Sequence, residues 1–245
     1  MPTCTRSKSP SAAPTETAVE VVDYLGSLCR YAILAEAGVT NTGSLDLTGD
    51  IGVSPITFAA IVGFGLKLDS KKAFSTSALV TGKVFAADYR GGTTTQDLAA
   101  DIRAMEALYT EMSTLPATTT LTATSISGLV FTPGVYKYGG SITMAAATKV
   151  TLNGGADDVF VIQSTGALSL GATAVIELGD NVQEKNVYWT SVGATFGAGA
   201  KFKGVLLSST AATYGAGAEH TGHIYAQTAV TIGTGVTITA IPCRS

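Results

Sequence analysis

VYWTSVGATFGAGAKFKG (187–204), VLLSSTAATYGAGAEHTG (205–222) and HIYAQTAVTIGTGVTITA (223–240) are three consecutive turns of one pattern with a period of 18. The ninth column is threonine throughout: Thr195, Thr213 and Thr231. The eleventh is glycine (Gly197, Gly215, Gly233), and so is the thirteenth (Gly199, Gly217, Gly235). Self-similarity at a fixed short period is the mark of a solenoid, in which each unit buries its apolar face on its neighbours.

Each turn holds three short alternating runs separated by small residues. In the second run Ala194/Phe196, Ala212/Tyr214 and Val230/Ile232 form the apolar set, with the threonines between them. In the third run Ala200/Phe202, Ala218/His220 and Val236/Ile238 take the same inward part. Period-two alternation puts these sets on one face of a strand and threonine on the other. Three runs of about six residues each predict a mainly β chain, a parallel β-helix of triangular cross-section.

The composition limits function. The chain has 245 residues, and a solenoid has no internal boundary, so we expect a leader over residues 1–24 and a single domain over 25–245. Charged residues are only 13% and the net charge is −3, so there is no basic field to hold nucleic acid. No apolar run reaches the length of a membrane span, so no membrane partner is expected. The start, Met1-Pro2-Thr3-Cys4, lacks the apolar stretch of a signal peptide, so an exported protein would here be a processed form with an added Met. Three cysteines say nothing of compartment, and their spacing fits neither a metal site nor a redox motif. Cys4 and Cys243, at the two ends, would suit one disulfide with Cys29 left free; Cys4–Cys29 is the competing pair.

Upstream of the regular turns the pattern loosens. Residues 31–49 read as one further turn with an extra residue, 52–72 as an irregular cap, and 74–89 as a strand pair. Thr94 followed by Asp97 is a helix start, and Leu98, Ile102, Met105, Tyr109 and Met112 make one apolar stripe over a helix of about 95–113. Pro116 stops it. The stripe should lie along the first-run side, whose outward columns read as Val187/Trp189, Val205/Leu207 and His223/Tyr225. Residues 117–128 are a Thr/Ser-rich connection, 134–152 and 159–176 two more turns, and 178–185 a polar insertion.

These segments, in this order, resemble one family. The carrying residues are Tyr31-Ala-Ile-Leu-Ala, Val39-Thr-Asn-Thr-Gly43, Leu47-Thr-Gly-Asp-Ile-Gly-Val-Ser-Pro55, Pro133-Gly-Val-Tyr-Lys137, Asp158-Val-Phe-Val-Ile-Gln163, Lys185-Asn-Val-Tyr-Trp189 and Gly199-Ala-Lys-Phe-Lys-Gly-Val-Leu-Leu207. Over residues 25–240 the chain is similar to the microbial ice-binding proteins, which are built on a discontinuous right-handed β-solenoid with a long flanking helix. It departs from them at Cys29, where the family usually carries glycine. The resemblance implies that the first turn stacks beside the last and that the helix carries the chain back to the far end. It also implies that the side formed by the second runs adsorbs to ice, with the protein exported and monomeric and no cofactor.

The outward columns of that side are Ser141/Thr143/Ala145, Thr165/Ala167/Ser169, Gly193/Thr195/Gly197, Ala211/Thr213/Gly215 and Ala229/Thr231/Gly233. None contains a charge. Taken alone they allow two readings: small side chains pack well on any β-solenoid, or the face is a grid of methyls and hydroxyls about 4.7–4.9 Å apart that orders water. The resemblance favours the second. The first turn joins this face through Val39 if alternation runs forward from Ala32 inward and Ile33 outward, or through Thr40 counting back from Gly49; the forward count is preferred. The third-run outward columns (Lys201, Lys203, Glu219, Thr221, Thr237, Thr239) read as a solvated side. A structural or adhesive solenoid is the alternative function. A polysaccharide lyase, drawing on Lys201, Glu219, His220, Asp157 and Asp158, ranks behind it. His220 reads as a packed core residue, and it and His223 point to opposite faces of an extended strand, so they do not chelate one metal.

Overall fold

The triplets around Thr195, Thr213 and Thr231 form the short strands Ala194–Phe196, Ala212–Tyr214 and Ala229–Ile232, which pair parallel and in register in a computed structural model that describes residues 24–243. The described chain is mainly β with one long α-helix. Seven parallel strands make this sheet, in the order Ile142–Met144, Leu168–Leu170, Ala194–Phe196, Ala212–Tyr214, Ala229–Ile232, Gly38–Asn41, Ile61–Val62. A second, sixteen-stranded sheet takes up the other runs. Two of its strands, Lys201–Ser208 and Glu219–Ala226, carry the third run of one coil straight into the first run of the next. They bend at Gly204 (φ +112°) and Gly222 (φ +142°), where a Cβ on Gly222 would run into the carbonyl of Gly204.

The coils do not stack in chain order. The first, with strands Tyr31–Ala35, Gly38–Asn41 and Leu45–Thr48, lies against the last through all three of its runs. The segment expected to be an irregular cap is more regular than that: Asp50–Val53 and Ile61–Val62 pair onto the first coil as part of one more layer, which Val80–Ala86 completes, and the strand pair expected over 74–89 is present as Ser75–Ser77 antiparallel to Val80–Ala86. The helix Thr94–Thr114 then returns the chain to the opposite end. The Thr/Ser-rich connection there is itself a partial coil, with Thr119–Leu121 and Val130–Phe131 paired to the next layer and Ser125 bridged to Thr143.

The interior is one cluster running the length of the stack, including Leu170, Phe196, Tyr214, Ile232, Phe202, Trp189 and Ile238. Phe196 and Tyr214 stack at 4.5 Å. A second cluster lies between the helix and the first-run strands. Leu98, Ile102, Met105 and Met112 are buried in it as expected, Leu108 joins them, and Tyr109 is only partly buried. At the start of the helix the Thr93 hydroxyl donates to Asp97 at 2.5 Å and Thr94 donates to the carbonyl of Gly91 at 2.8 Å. Two polar ties position the helix. Asp101 accepts from Ser27 (2.7 Å) and from Tyr31 (2.8 Å), and the amide of Gln163 donates to the carbonyls of Met112 and Leu115 (both 2.9 Å). The second tie satisfies two carbonyls that a helix end leaves without an intrahelical partner.

Three expectations need correction. Val187 and Trp189 face the interior; Tyr188 and Val161 face the helix, with Val205, Leu207 and Tyr225. Tyr188 pairs with Val205, 17 residues on, whereas Thr195 pairs with Thr213, 18 on, so the slack lies in the corner between the runs. Secondly, Val39 is fully buried in the interior and Thr40 takes the outward place. The register slips between Tyr31 and Ile33, which puts Ile33 inward and inverts every later position in the count. Thirdly, Cys243 is bonded to Cys29, with Cα atoms 5.1 Å apart, because the chain end past Thr239 runs beside the 3-10 turn Gly26–Arg30. Cys4 and the rest of the expected leader up to residue 23 lie outside the described residues.

Candidate functional site

The seven-stranded sheet aligns one side chain per coil in a single outward row. In spatial order the row is Ser125, Thr143, Ser169, Thr195, Thr213, Thr231, Thr40 and Val62. Its steps are those of adjacent strands, about 4.7–4.9 Å. Thr143, Thr195, Thr213 and Thr231 are exposed, and Thr40 and Ser169 are half-buried. Apolar neighbours on either side of each point inward and fix the row: Leu168/Leu170, Ala194/Phe196, Ala212/Tyr214 and Val230/Ile232 are all buried. Among the described residues, the hydroxyls of Thr40, Thr195, Thr213 and Thr231 make no hydrogen bond to protein, so they are left for solvent.

The flanking columns are equally plain. On one side stand Ser141, Ala167, Gly193, Ala211 and Ala229; on the other Ala145, Gly171, Gly197, Gly215 and Gly233. Ser169 therefore sits in the central row rather than beside it, and Ala167 in the flanking one. Thr165 lies at the corner before the strand, outside the row, its amide donating to the carbonyl of Tyr138. The glycine column has a structural cause. A Cβ at Gly197, Gly215 or Gly233 would come within 2.5, 2.8 or 2.9 Å of the backbone nitrogen of Ala172, Ala198 or Ala216. No such crowding dictates the threonine row. Sequence reading missed Ser125, Val62 and Gly171, since each sits in a coil whose length departs from 18.

Three ion pairs lie on or beside the third-run side. Lys201 pairs with Glu219 (2.9 Å), Lys149 with Glu177 (2.6 Å) and Lys203 with Glu184 (3.8 Å). Of the residues weighed for catalysis, Lys201, Glu219, Asp158 and His220 have partners within the protein, and Asp157 is exposed. Lys201 and Glu219 neutralise each other, and Asp158 accepts from the amide of Gly155. His220 is buried, accepting at Nδ1 from the Tyr214 hydroxyl (2.7 Å) and donating at Nε2 to the carbonyl of Gly204 (3.0 Å). Burial holds its pKa down at about 3, so the ring is neutral. His223 is buried too, donating from Nδ1 to the carbonyl of Tyr31 (2.7 Å), and burial likewise lowers its pKa.

The ice-binding-like family model matches residues 33–238, and these are the residues that build the row and its support. The chain belongs to the ice-binding-like family. Among relatives in this family, ice-binding protein K1-A of Typhula ishikariensis is 37% identical over 182 residues, 73% of this chain and 74% of the relative. An ice-binding protein of Flammulina populicola is 36% identical over 167 residues, covering 67% of this chain and 66% of that protein. Among solved structures, the glycosylated ice-binding protein from an Arctic yeast superimposes with a TM-score of 0.85 at 32% identity, over 90% of this chain and 95% of the other. The alternative of an adhesive or structural solenoid finds no support among these relatives.

Proposed function

We propose that this member of the ice-binding-like family adsorbs to ice through its seven-stranded sheet. The observation that carries the reading is the in-register Ser/Thr row from Thr143 to Thr40, in which the hydroxyls of Thr40, Thr195, Thr213 and Thr231 make no hydrogen bond to protein among the described residues and no charge stands in the flanking columns. Such a face is ordered before it meets the crystal, so many small contacts form with little loss of conformational freedom. Adsorbed molecules force the ice front to bulge between them, which lowers the growth temperature and slows recrystallisation.

The site on this reading is Thr143, Ser169, Thr195, Thr213, Thr231 and Thr40, flanked by Ala167, Ala211, Ala229, Gly215 and Gly233. The protein acts outside the cell as a monomer, without cofactor or catalysis, and binds neither nucleic acid nor membrane. In support, no helix among the described residues is long and apolar enough to cross a membrane. Three runs of strand per coil support a triangular section, with residues 25–245 forming one domain. A right-handed sense agrees with the hand that parallel crossovers take in about 98% of cases.

Growth of a single ice crystal in fluorescently labelled protein tests the function. Incorporation of the label into the growing crystal is expected. Its exclusion, with the protein folded, would return the reading to an adhesive or structural solenoid or to a lyase.

A further inference from the structure

The threonine row crosses a break in the chain. Elsewhere in the row from Thr143 to Thr231 each coil runs on covalently into the next, so neighbouring rungs share a short stretch of backbone. Between Thr231 and Thr40 there is no such continuity: the two coils come from opposite ends of the chain and meet only through pairing. Backbone bonds span this seam on every side, among them Ala37 N to Thr228 O (2.8 Å), Thr42 N to Ile232 O (3.0 Å), Gly235 N to Ser44 O (2.7 Å) and Ala240 N to Thr48 O (2.9 Å). These bonds are all non-covalent, so local opening can part the two coils here without straining a chain connection.

One covalent link bridges the seam. Cys29 lies just ahead of the first strand of the first coil, and Cys243 just past the last strand of the final coil. We propose that the Cys29–Cys243 disulfide is a positioning element for ice contact: it replaces the missing chain connection and keeps Thr40 and the layer beyond it level with Thr231. The inference rests on the ice-adsorption reading above. Neither cysteine belongs to the row, so both act through the strands they tether.

The test compares wild type with the Cys29→Ser, Cys243→Ser double variant, and with wild type reduced by a phosphine while folded in the cold. Amide hydrogen exchange is read residue by residue, and freezing hysteresis is read near 0 °C, far below unfolding. Without the bond, exchange should quicken on the order of tenfold or more at Thr40, Asn41 and Thr42 while Thr195 and Thr213 keep their protection. Hysteresis should fall with it. Exchange that rises evenly along the stack, or nowhere, overturns the seam. Selective loosening with undiminished hysteresis overturns the positioning role and leaves ice adsorption intact. A wild type without hysteresis, whatever its exchange, fails the adsorption reading instead and takes the positioning role with it.

Discussion

Thr40 and Thr231 stand side by side in paired parallel strands, although they belong to the first and last coils of the chain. Their neighbours Val39 and Val230 point inward, fully buried. Two substitutions therefore separate the faces. Thr40→Tyr puts a ring above the plane and should cut freezing hysteresis while the melting temperature holds, as should Thr213→Tyr at the centre of the row. Val39→Thr buries a hydroxyl and should cost about 1–3 kcal/mol in urea unfolding, with activity per folded molecule unchanged. Hysteresis lost in folded Val39→Thr and kept in Thr40→Tyr would show that the first coil turns its other side to ice.

Thr231 and Thr239 offer a matched pair in the last coil. Both are exposed, but Thr239 pairs with Thr221 and Thr48 on the charged side, in the column that holds Lys203. A lysine ammonium is strongly hydrated, and its water shell does not merge with a crystal plane. Thr231→Lys should suppress hysteresis sharply and Thr239→Lys should leave it near wild type, once circular dichroism has shown both to be folded. The opposite ranking would move the contact surface to the third-run side.

The helix should matter for stability alone. Ile102 is buried against the first-run strands, and truncating such a side chain costs about 2–5 kcal/mol. Ile102→Ala should melt earlier while keeping its hysteresis near 0 °C. A variant that melted like wild type but no longer bound ice would assign the contact to the helix.

His220 makes stability depend on pH. Its folded pKa of about 3 lies below the ordinary histidine value, so between the two the unfolded chain binds the extra proton. Stability is then full above about pH 6.5 and declines by about 1.4 kcal/mol per pH unit as pH falls toward 3. His223, lowered in the same direction, adds to the loss. Urea unfolding at pH 7 and pH 5 measures the difference, and His220→Gln should shrink it. An unchanged pH dependence in that variant would mean that the buried ring is not the group responsible.

The regular turns were legible because their second and third runs are wet on one face. Thr195 between Ala194 and Phe196 betrays both its period and its direction. The first runs hide theirs: Val187–Ser191 is buried at every position, by the interior on one side and the helix on the other, so no alternation marks which residue faces where. Sequence periodicity alone therefore points to Val187 and Trp189 in place of Tyr188. The same holds for Tyr31–Ala35, where a slip of register left no trace in five buried residues and carried the error to Val39. Asp101 and Gln163 were illegible for another reason: their partners, Tyr31 and the carbonyl of Leu115, lie far away in sequence and become neighbours only when the helix docks.

The helix also acts as a ruler. Its 21 residues span about 32 Å at about 1.5 Å each, and a row of eight rungs at strand spacing spans about 34 Å. Because the helix must deliver the chain from one end of the stack to the other, a longer contact face requires a longer helix. Duplicating one 18-residue turn would add a rung only if about three residues, one more step of the ruler, were inserted between Thr94 and Thr114 as well. Growth of the face is thus gated by two insertions at distant points of the gene, unlike a continuous solenoid, which lengthens by one.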